Sequence, residues 1–526
     1  MNFNILPIKI SEISFDMEGQ SVSIQGKITD IYKTSGPLVF RIFDGDELRS
    51  VVFNPVEDYY SLKVGDYVRF YGALSVRREN VELQISKFER LNVDELKLIK
   101  NEIENSFLDR IKRDTPDFLC DSEVYKKMEK IFLEAMVCIK KAVLQERMII
   151  IRHHNDCDGI TAGVSLEKAI SSYADKEKKK DCKIFRKPCA APYYDIEDAL
   201  KDIDLYFSFS KKKPLLIIAD NGSTDSDLDG IIRTKIYDFE IGVIDHHPPT
   251  KDVNGEYTID KYVSFHINPH IYSGDSNLCT GMLAYELARM IDSNMDNYAI
   301  HMPALAGVGD KSKGNEMNRY LEISPFNNEE LEKIKLALDH EAYYLKRFSL
   351  SSFIEDIMMI GDNDRGRLII DYVFDEIEKK RNSQWALIQK YIQIKNMADK
   401  FDLITLDIDK LISKGEFPSP GRTLGFVHNK YIWENKINED DRTIITLGFA
   451  EDYLVIRATN KAKSIGFDLN NIIKQLKEVY LEEVQGGGHP GAGTIRFVPI
   501  LKDEVKKVSL EYIEKIVKDS KSRIPI

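Results

Sequence analysis

The stretch RMIIIRHHNDCDGITAGVSLEKAISSY, residues 147–173, contains the pattern that decides the fold class. It begins with a continuous apolar run, and its last part, from Thr161, has the composition of a helix. The same alternation continues through TGMLAYELARMI, residues 280–291. Uninterrupted apolar strands alternate with helices when a parallel sheet is covered on both faces. The sequence therefore predicts an α/β domain built on a parallel sheet.

Residue types that bind metals follow the apolar runs at four places. The segments are HHNDCDG (153–159), DNGS (220–223), DHH (245–247) and the aspartate that ends HMPALAGVGD (301–310). We interpret each as the carboxyl end of a strand, and such ends meet at the edge of a parallel sheet where ligands bind. A single aspartate after a strand is a common turn former. Four such segments together indicate a site.

The donor types point to divalent metals. Carboxylate and imidazole ligands suit manganese, magnesium or zinc. The six or so ligands are too many for one open catalytic ion. They suit two divalent metal ions, manganese or magnesium, that share one carboxylate and stabilise both oxygens of a phosphoryl displacement.

The segment VIDHHPP, residues 243–249, places two histidines side by side at the end of an apolar run. Neighbouring residues of a strand point to opposite faces. Pro248 favours an extended conformation at His247 and ends the hydrogen bonding of the sheet. We therefore expect His246 to bind a metal and His247 to face a phosphate, with Asp245 behind them.

Five motifs, in their order along the chain, resemble those of the DHH phosphoesterase superfamily. They are HNDCDG, DNG, DHH and GVGD, followed by GGGHPGAG, which resembles the signature of the associated C-terminal substrate-binding domain. The HNDCDGIT form of the first motif and the later INP are most similar to archaeal RecJ-like single-strand-specific exonucleases. An N-terminal OB-fold accompanies this resemblance, whereas bacterial RecJ carries its OB-fold after the DHH core.

The resemblance implies a role for each matching residue. The implied metal ligands are His154 and Asp156 for the first metal, Asp158, His246 and Asp310 for the second, and Asp220 between them. The implied catalytic residues are Asp220, His247, which would support charge at the scissile phosphate, and Asp245, which would orient an imidazole or the loop. Many members carry a histidine where this chain has Arg152, so His153 is kept as an alternative ligand to His154.

The C-terminal motif predicts a place for phosphate. Gly486, Gly487 and Gly488 precede His489, and three glycines allow a backbone to approach a phosphate without a clash at Cβ. Successive N–H groups in such a segment can form an anion-binding nest. Arg457, at the end of YLVIR, resembles the phosphate-binding arginine of the family.

The pattern along the chain predicts five parts. They are an OB-fold at 1–95, a helical linker at 96–146, the DHH domain at 147–320, a helical connector at 321–400 and an α+β DHH-associated domain at 401–526. The spaced strands and turn signals of the first part favour a small barrel. Candidates for its nucleic-acid face are Phe40, Phe43, Phe53, Tyr67, Arg41, Arg69 and Arg77, although alternation puts every second aromatic in the core.

Composition narrows the class of protein. The chain has 526 residues and a net charge of −12 at pH 7, which argues against a protein that wraps duplex DNA but permits a local nucleic-acid groove. Its six cysteines form no C-x-x-C pair, so neither a zinc ribbon nor a disulfide framework is expected. We expect Cys157 to be buried and His266 to be a structural strand histidine. With no membrane-spanning run and no secretory signal, a cytoplasmic protein is expected.

These inferences predict a metal-dependent phosphodiesterase that degrades single-stranded nucleic acid, DNA more than RNA, in replication or repair. A nanoRNase, a cyclic-dinucleotide phosphodiesterase or an inorganic phosphatase of the same superfamily is the first alternative. A replication scaffold resembling Cdc45 is the second, and the family resemblance is compatible with docking on the GINS replication complex. The polarity of digestion, the native metal and the oligomeric state stay open.

Overall fold

The computed structural model describes residues 6–77, 80–112, 115–210, 212–345, 353–361, 364–411, 415 and 417–522. They fall into two compact units. The first unit contains an N-terminal barrel and a parallel sheet. The second contains the helices and the mixed sheet from Ile323 onward, together with the short segments Asn155–Ile160 and Ala304–Lys311. The protein is a multidomain α/β protein, as the sequence predicts.

The N-terminal barrel is closed, with the strand order β1-β2-β3-β5-β4. Its elements are β1 (Ser21–Lys33), β2 (Leu38–Phe43), β3 (Glu47–Val52), α1 (Glu57–Tyr60), β4 (Tyr67–Arg77) and β5 (Asn80–Arg90). Phe40 and Phe70 are fully buried, with ring centroids 5.4 Å apart. The prediction that Phe40 could contact a nucleic acid is therefore wrong, because its side chain belongs to the barrel core. Phe53 stays exposed.

Two helices, α2 (Val93–Lys112) and α3 (Glu123–Leu144), follow the barrel. Ser122 caps α3 by accepting a hydrogen bond from the N–H of Val124, which satisfies one free donor of the first turn. The buried face of α3 includes Met128, Phe132 and Met136. Their spacing of four residues is the one that predicted this helix.

The parallel sheet has the order β10-β9-β8-β6-β7, and every neighbouring pair is parallel. Its elements are β6 (Ile149–His153), α4 (Cys157–Lys176), β7 (Ile184–Pro188), α5 (Ile196–Phe209), β8 (Leu215–Ala219), α6 (Leu228–Ile236), β9 (Glu240–Ile244), β10 (Phe265–Ile267), α7 (Thr280–Ile291), α8 (Asp296–Ala299) and α9 (Met302–Asp310). The strand order reverses between β6 and β8. Ligands bind at such a switch point, and it is where His154 and Asp220 follow their strands.

Two expected site residues lie on helices rather than after strands. Helix α4 begins at Cys157, before the predicted start, so Asp158 lies in its first turn. Asp310 is the last residue of α9 and follows no strand. The apolar segment before Asp310 is short, and a buried helix and a buried strand have the same composition at that length.

The second unit contains a six-stranded sheet of order β11-β12-β13-β14-β16-β15. Its elements, after α10 (Asn315–Ile323), are α11 (Asn328–Tyr344), α12 (Phe353–Ile357), α13 (Asp364–Ile388), β11 (Gln393–Ala398), β12 (Phe401–Asp407), α14 (Ile408–Leu411), α15 (Pro420–Glu434), β13 (Thr443–Phe449), β14 (Tyr453–Ala458), α16 (Asn460–Ser464), α17 (Leu469–Tyr480), β15 (Val484–His489), β16 (Ala492–Phe497) and α18 (Lys502–Ser522). None of the helices that the structure describes is both long and apolar enough to cross a membrane.

One element of the second unit differs from its prediction. The composition of the segment RTLGFVHN, residues 422–429, predicts a strand, but the segment lies inside helix α15. Pro420 occupies the first turn, where the missing N–H of a proline has no effect. Leu424, Val427 and His428 are buried, and this spacing of three to four residues is that of a helix face.

Candidate metal centre

Asp220 occupies the middle of the candidate site. It follows β8 with a left-handed φ of 60°, a conformation that aspartate tolerates better than most residues. Its side chain is 2% exposed and accepts a hydrogen bond from Thr280 Oγ1 through Oδ1 at 3.2 Å. His246 Nε2 lies 3.4 Å from Oδ1, and His154 Nδ1 lies 3.5 Å from Oδ2. Imidazoles therefore face both oxygens of one buried carboxylate.

The structure brings all six expected metal ligands into groups of donor atoms that lie within 4.8 Å of one another. The groups are Asp220 with His246 and His247, His154 with Asp156 and Asp220, and Asp158 with His246 and Asp310. Asp220 and His246 each belong to two groups. A carboxylate such as that of Asp220 can be shared by two neighbouring ions through its two oxygens, whereas the free nitrogen of His246 can bind only one of them.

The chemistry of these donors fits divalent cations. Asp158 and Asp220 are buried, and buried carboxylates need a positive partner. Cys157 is buried and directs its Sγ towards the carbonyl of Leu305, at 3.6 Å, as the prediction of a buried thiol requires. Oxygen and imidazole donors without thiolate match manganese or magnesium better than a closed zinc site.

The imidazole ring of His246 is held in one orientation. Its ring is buried, and Nδ1 lies 2.9 Å from the carbonyl of Ser276. A ring nitrogen held by a carbonyl leaves the other nitrogen free of a proton and available to a metal. Nε2 is the nitrogen that faces Asp220.

His247 has a different environment from its neighbour. Its side chain is 37% exposed, and Nδ1 lies 2.8 Å from Asp245 Oδ1. Burial would lower the pKa of His247, but the charge of Asp245 outweighs this effect and raises the pKa to about 9. Burial would likewise raise the pKa of Asp245, and the adjacent His247 instead holds it well below its usual range. The pair is therefore a carboxylate that holds an imidazolium in the absence of metal.

His153 and Arg152 precede the first motif but lie outside the candidate site. His153 is buried, with Nδ1 2.8 Å from the carbonyl of His154, and it belongs to none of the donor groups among the described residues. Arg152 is buried between Asp198 and Asp202, with N–O distances of 2.8 and 2.6 Å. At this position the chain therefore has a structural ion pair that connects β6 to helix α5.

A group of polar residues that contact His247 and its neighbours was not predicted from the sequence. Asn268 donates from Nδ2 to the carbonyl of His247 at 2.9 Å and to Ser223 Oγ at 3.1 Å. Ser223 Oγ lies 2.9 Å from Nε2 of His266, which was expected to be only a structural strand histidine. The INP and DNGS segments contained Asn268 and Ser223, but only the pairing of β10 with β9 brings them together.

The expected phosphate-binding residues lie in the second unit. Arg457, on β14, donates to the carbonyls of Ile456 at 2.8 Å and Gly421 at 3.2 Å. Burial lowers the pKa of its guanidinium, and the neighbouring Arg422 lowers it further. Residues 486–489 pair with β16 as strand β15, and a Cβ at Gly487 would meet no atom within 4 Å.

Comparison with known proteins places the chain in a family. Residues 147–308 match the model of the DHH family, N-terminal domain, and residues 22–91 match an OB-fold nucleic acid binding domain. An uncharacterized protein of Methanocaldococcus jannaschii is 36% identical over 537 residues, which cover 96% of this chain and 70% of that protein. The chain belongs to the DHH family. It is therefore a hydrolase of the DHH phosphoesterase superfamily with an N-terminal OB-fold.

A solved structure of a DHH domain shows the same fold over most of the chain. This domain, from a protein described as a member of a family of ribosomal proteins, has 34% identity and a TM-score of 0.75, and the match covers 81% of this chain and 99% of that one. RecJ of Thermus thermophilus in complex with Mn²⁺ is a more distant match, with 12% identity and a TM-score of 0.48 over 79% of this chain and 57% of RecJ.

Proposed function

We propose that the protein is a metal-dependent phosphodiesterase that hydrolyses single-stranded nucleic acid from an end, with DNA as the preferred substrate. The observation that carries this proposal is Asp220, a buried carboxylate with His154 at one oxygen and His246 at the other. A carboxylate that two donor groups share suits a pair of ions, and paired ions are typical of enzymes that cleave phosphodiesters.

In this proposal the donor groups hold two divalent cations, manganese or magnesium. When bound, these ions supply Lewis acidity that activates a water and neutralises the phosphate. Asp245 holds Nδ1 of His247, so the ring presents Nε2 to the substrate. In its protonated form the ring donates a hydrogen bond from Nε2 to a phosphate oxygen as negative charge develops there.

The barrel supports a nucleic acid as substrate. Phe53 and Tyr60 have 53% and 55% of their surface exposed, and exposed rings on a barrel of this class stack on unpaired bases. Lys33 Nζ lies 6.0 Å from the centre of the Tyr60 ring, close enough to contact a phosphate beside a stacked base. In this proposal the surface binds the nucleotides of a longer strand that lie outside the metal centre.

The second unit supports the recognition of phosphate. Arg422 forms an ion pair with the buried Asp339. The two hydrogen bonds of Arg457, to the carbonyls of Ile456 and Gly421, go to neutral groups. A partly buried guanidinium whose neighbour is a second arginine favours an anion. Gly487 leaves its β15 backbone open to a phosphate, and His489 ends the same strand.

A series of substrate lengths tests the proposal. Purified protein with Mn²⁺ or Mg²⁺ is offered end-labelled single strands of DNA and RNA, a blunt duplex and dinucleotides, with Asp229→Asn on the exposed face of α6 as a control. We expect progressive shortening of the single strands, no loss of the duplex and unchanged activity of the control variant. Hydrolysis of dinucleotides alone would replace the proposal by a nanoRNase activity. The absence of both manganese binding and hydrolysis would favour a scaffold.

A further inference from the structure

A line of polar side chains leads from the surface towards His247. Asp260 Oδ1 lies 2.8 Å from Nδ1 of His266, and Ser223 Oγ lies 2.9 Å from Nε2 of the same ring. The side chain of Asp260 is 48% exposed, whereas Ser223 is fully buried. The order Asp-His-Ser is that of a hydrolytic triad, but a serine without solvent access cannot attack a substrate. The three residues must therefore act through their neighbours.

Ser223 connects this line to the Asp245–His247 pair. Its hydroxyl is one of the groups that lower the pKa of Asp245, and Oδ2 of that carboxylate is buried without a hydrogen bond among the described residues. Oδ1 is fully used, since it accepts from the backbone N–H groups of His246 and His247 and from the His247 ring. The three hydrogen bonds at Oδ1 are therefore the ones that orient this carboxylate, and Ser223 lies beside it.

Asn268 forms hydrogen bonds to both Ser223 and His247. One amide group, Nδ2, donates both to Ser223 Oγ and to the carbonyl of His247. Because Ser223 already accepts from Asn268, its single proton is left for His266 Nε2 or for Asp245. The backbone of His247 is therefore held through Asn268, which also bonds Ser223, and the direction of the ring depends on this backbone and on Asp245.

We propose that Asp260, His266, Ser223 and Asn268 are positioning residues that set the direction of the His247 ring. The inference rests on the proposed function, since the phosphate that His247 faces belongs to that proposal. If His266 served only to pack β10 against its neighbours, an apolar side chain would do as well. Buried polar groups stabilise a fold only when they are fully hydrogen-bonded. The network instead ends at the candidate catalytic imidazole and opens to solvent at Asp260.

Two substitutions of one residue separate positioning from packing. In His266→Gln the side-chain amide reaches the place of Nε2 and keeps the contact with Ser223. In His266→Asn the shorter amide reaches only the position of Nδ1. This variant keeps the hydrogen bond to Asp260 and loses the one to Ser223. We expect His266→Gln to stay within about threefold of wild-type kcat, and His266→Asn and Ser223→Ala to lower kcat about 10- to 100-fold, the range for residues that orient metal-site groups. KM and the Kd for Mn²⁺ should not change.

Two kinetic results would overturn the inference. One is equal kcat in the Gln and Asn variants, and the other is a fall in kcat that follows only the loss of Tm. Crystal structures of both variants give a readout that needs no activity. We expect the His247 ring to rotate in His266→Asn and to keep its place in His266→Gln. If the wild type cleaves no nucleic acid, the proposed function is wrong. If the His247 ring keeps its place in both variants, the positioning role of the four residues is wrong.

Discussion

Asp245 Oδ1 lies 2.8 Å from His247 Nδ1 and accepts, through the same oxygen, the backbone N–H of His247 at 3.2 Å. One carboxylate oxygen thus fixes both the main chain and the ring of a half-exposed histidine. His246, one residue earlier, is buried and held by the carbonyl of Ser276 instead. Two adjacent imidazoles are therefore prepared for two different tasks.

The two histidines should differ in what their removal changes. We expect His246→Ala to weaken Mn²⁺ binding about 10- to 100-fold, because a donor of two groups is lost. His247→Ala should lower kcat about 100-fold with little effect on the Kd for Mn²⁺, because its role is at the developing charge. Calorimetric titration with Mn²⁺ and initial rates at saturating metal separate the two effects. An equal loss of affinity in both variants would contradict the assignment.

Removing the buried guanidinium of Arg152 should destabilise the protein without touching the site. In Arg152→Met the carboxylates of Asp198 and Asp202 stay buried without their partner, which costs about 3–5 kcal/mol of unfolding free energy. Urea unfolding measures this change. The triple variant with Asp198→Asn and Asp202→Asn should recover much of it, and a single variant within about 1 kcal/mol of wild type would refute the structural role.

Substitution of Arg457 should affect binding more than chemistry. We expect Arg457→Met to raise KM for a single-stranded substrate at least about tenfold, since a charged hydrogen bond to a phosphate is lost. Lys430→Met on the neighbouring helix α15 is a control, because Lys430 lies near Glu434 at 3.9 Å and has an anionic partner already. Steady-state kinetics with both variants test the assignment, and similar KM values for the two would contradict it.

His428 should make the protein less stable in mild acid. Its ring is buried, with Nδ1 2.8 Å from Thr446 Oγ1, and burial, followed by the charge of Arg457, lowers its pKa from 6.5 to about 4. Between these two values the unfolded chain binds a proton that the folded chain does not, so stability falls as the pH drops from 6.5 to 4. The loss is on the order of 3 kcal/mol.

Urea unfolding at several pH values checks this dependence. The variant His428→Gln lacks the titrating group and should show a flatter dependence between pH 6.5 and 4 than the wild type. The same slope in both proteins would show that other groups control the acid sensitivity.

The features that the sequence predicted are those that depend on local pattern. Apolar runs revealed the parallel sheet, and the residues directly after β6, β8 and β9 revealed most of the donors. Helix α15 was missed because the segment with a helical spacing of apolar residues is short, and because Gly421 and Gly425 lower its helix propensity. Asp310 was placed correctly in the site but on the wrong type of element, since composition does not separate a short buried helix from a strand.

The residues behind the donors depend on tertiary structure. Ser223 and His266 are 43 positions apart, and their contact exists only because β8, β9 and β10 are neighbours in the sheet. A lone histidine in a strand carries no signal of such a partner. The burial of Phe40 is of the same kind, because closure of the barrel decides which face of β2 turns inward.

The proposed function requires Asp220 for the metal-dependent hydrolysis of single-stranded nucleic acid. The most direct measurement is the rate at which wild type and Asp220→Asn shorten an end-labelled single strand, after chelation of divalent metal and again after Mn²⁺ is restored. We expect that only the wild type with Mn²⁺ cleaves, with a rate at least about a thousandfold above that of Asp220→Asn, whose side chain has the same size but no charge to share between two ions. Cleavage by the folded Asp220→Asn variant at a rate close to that of the wild type would contradict it.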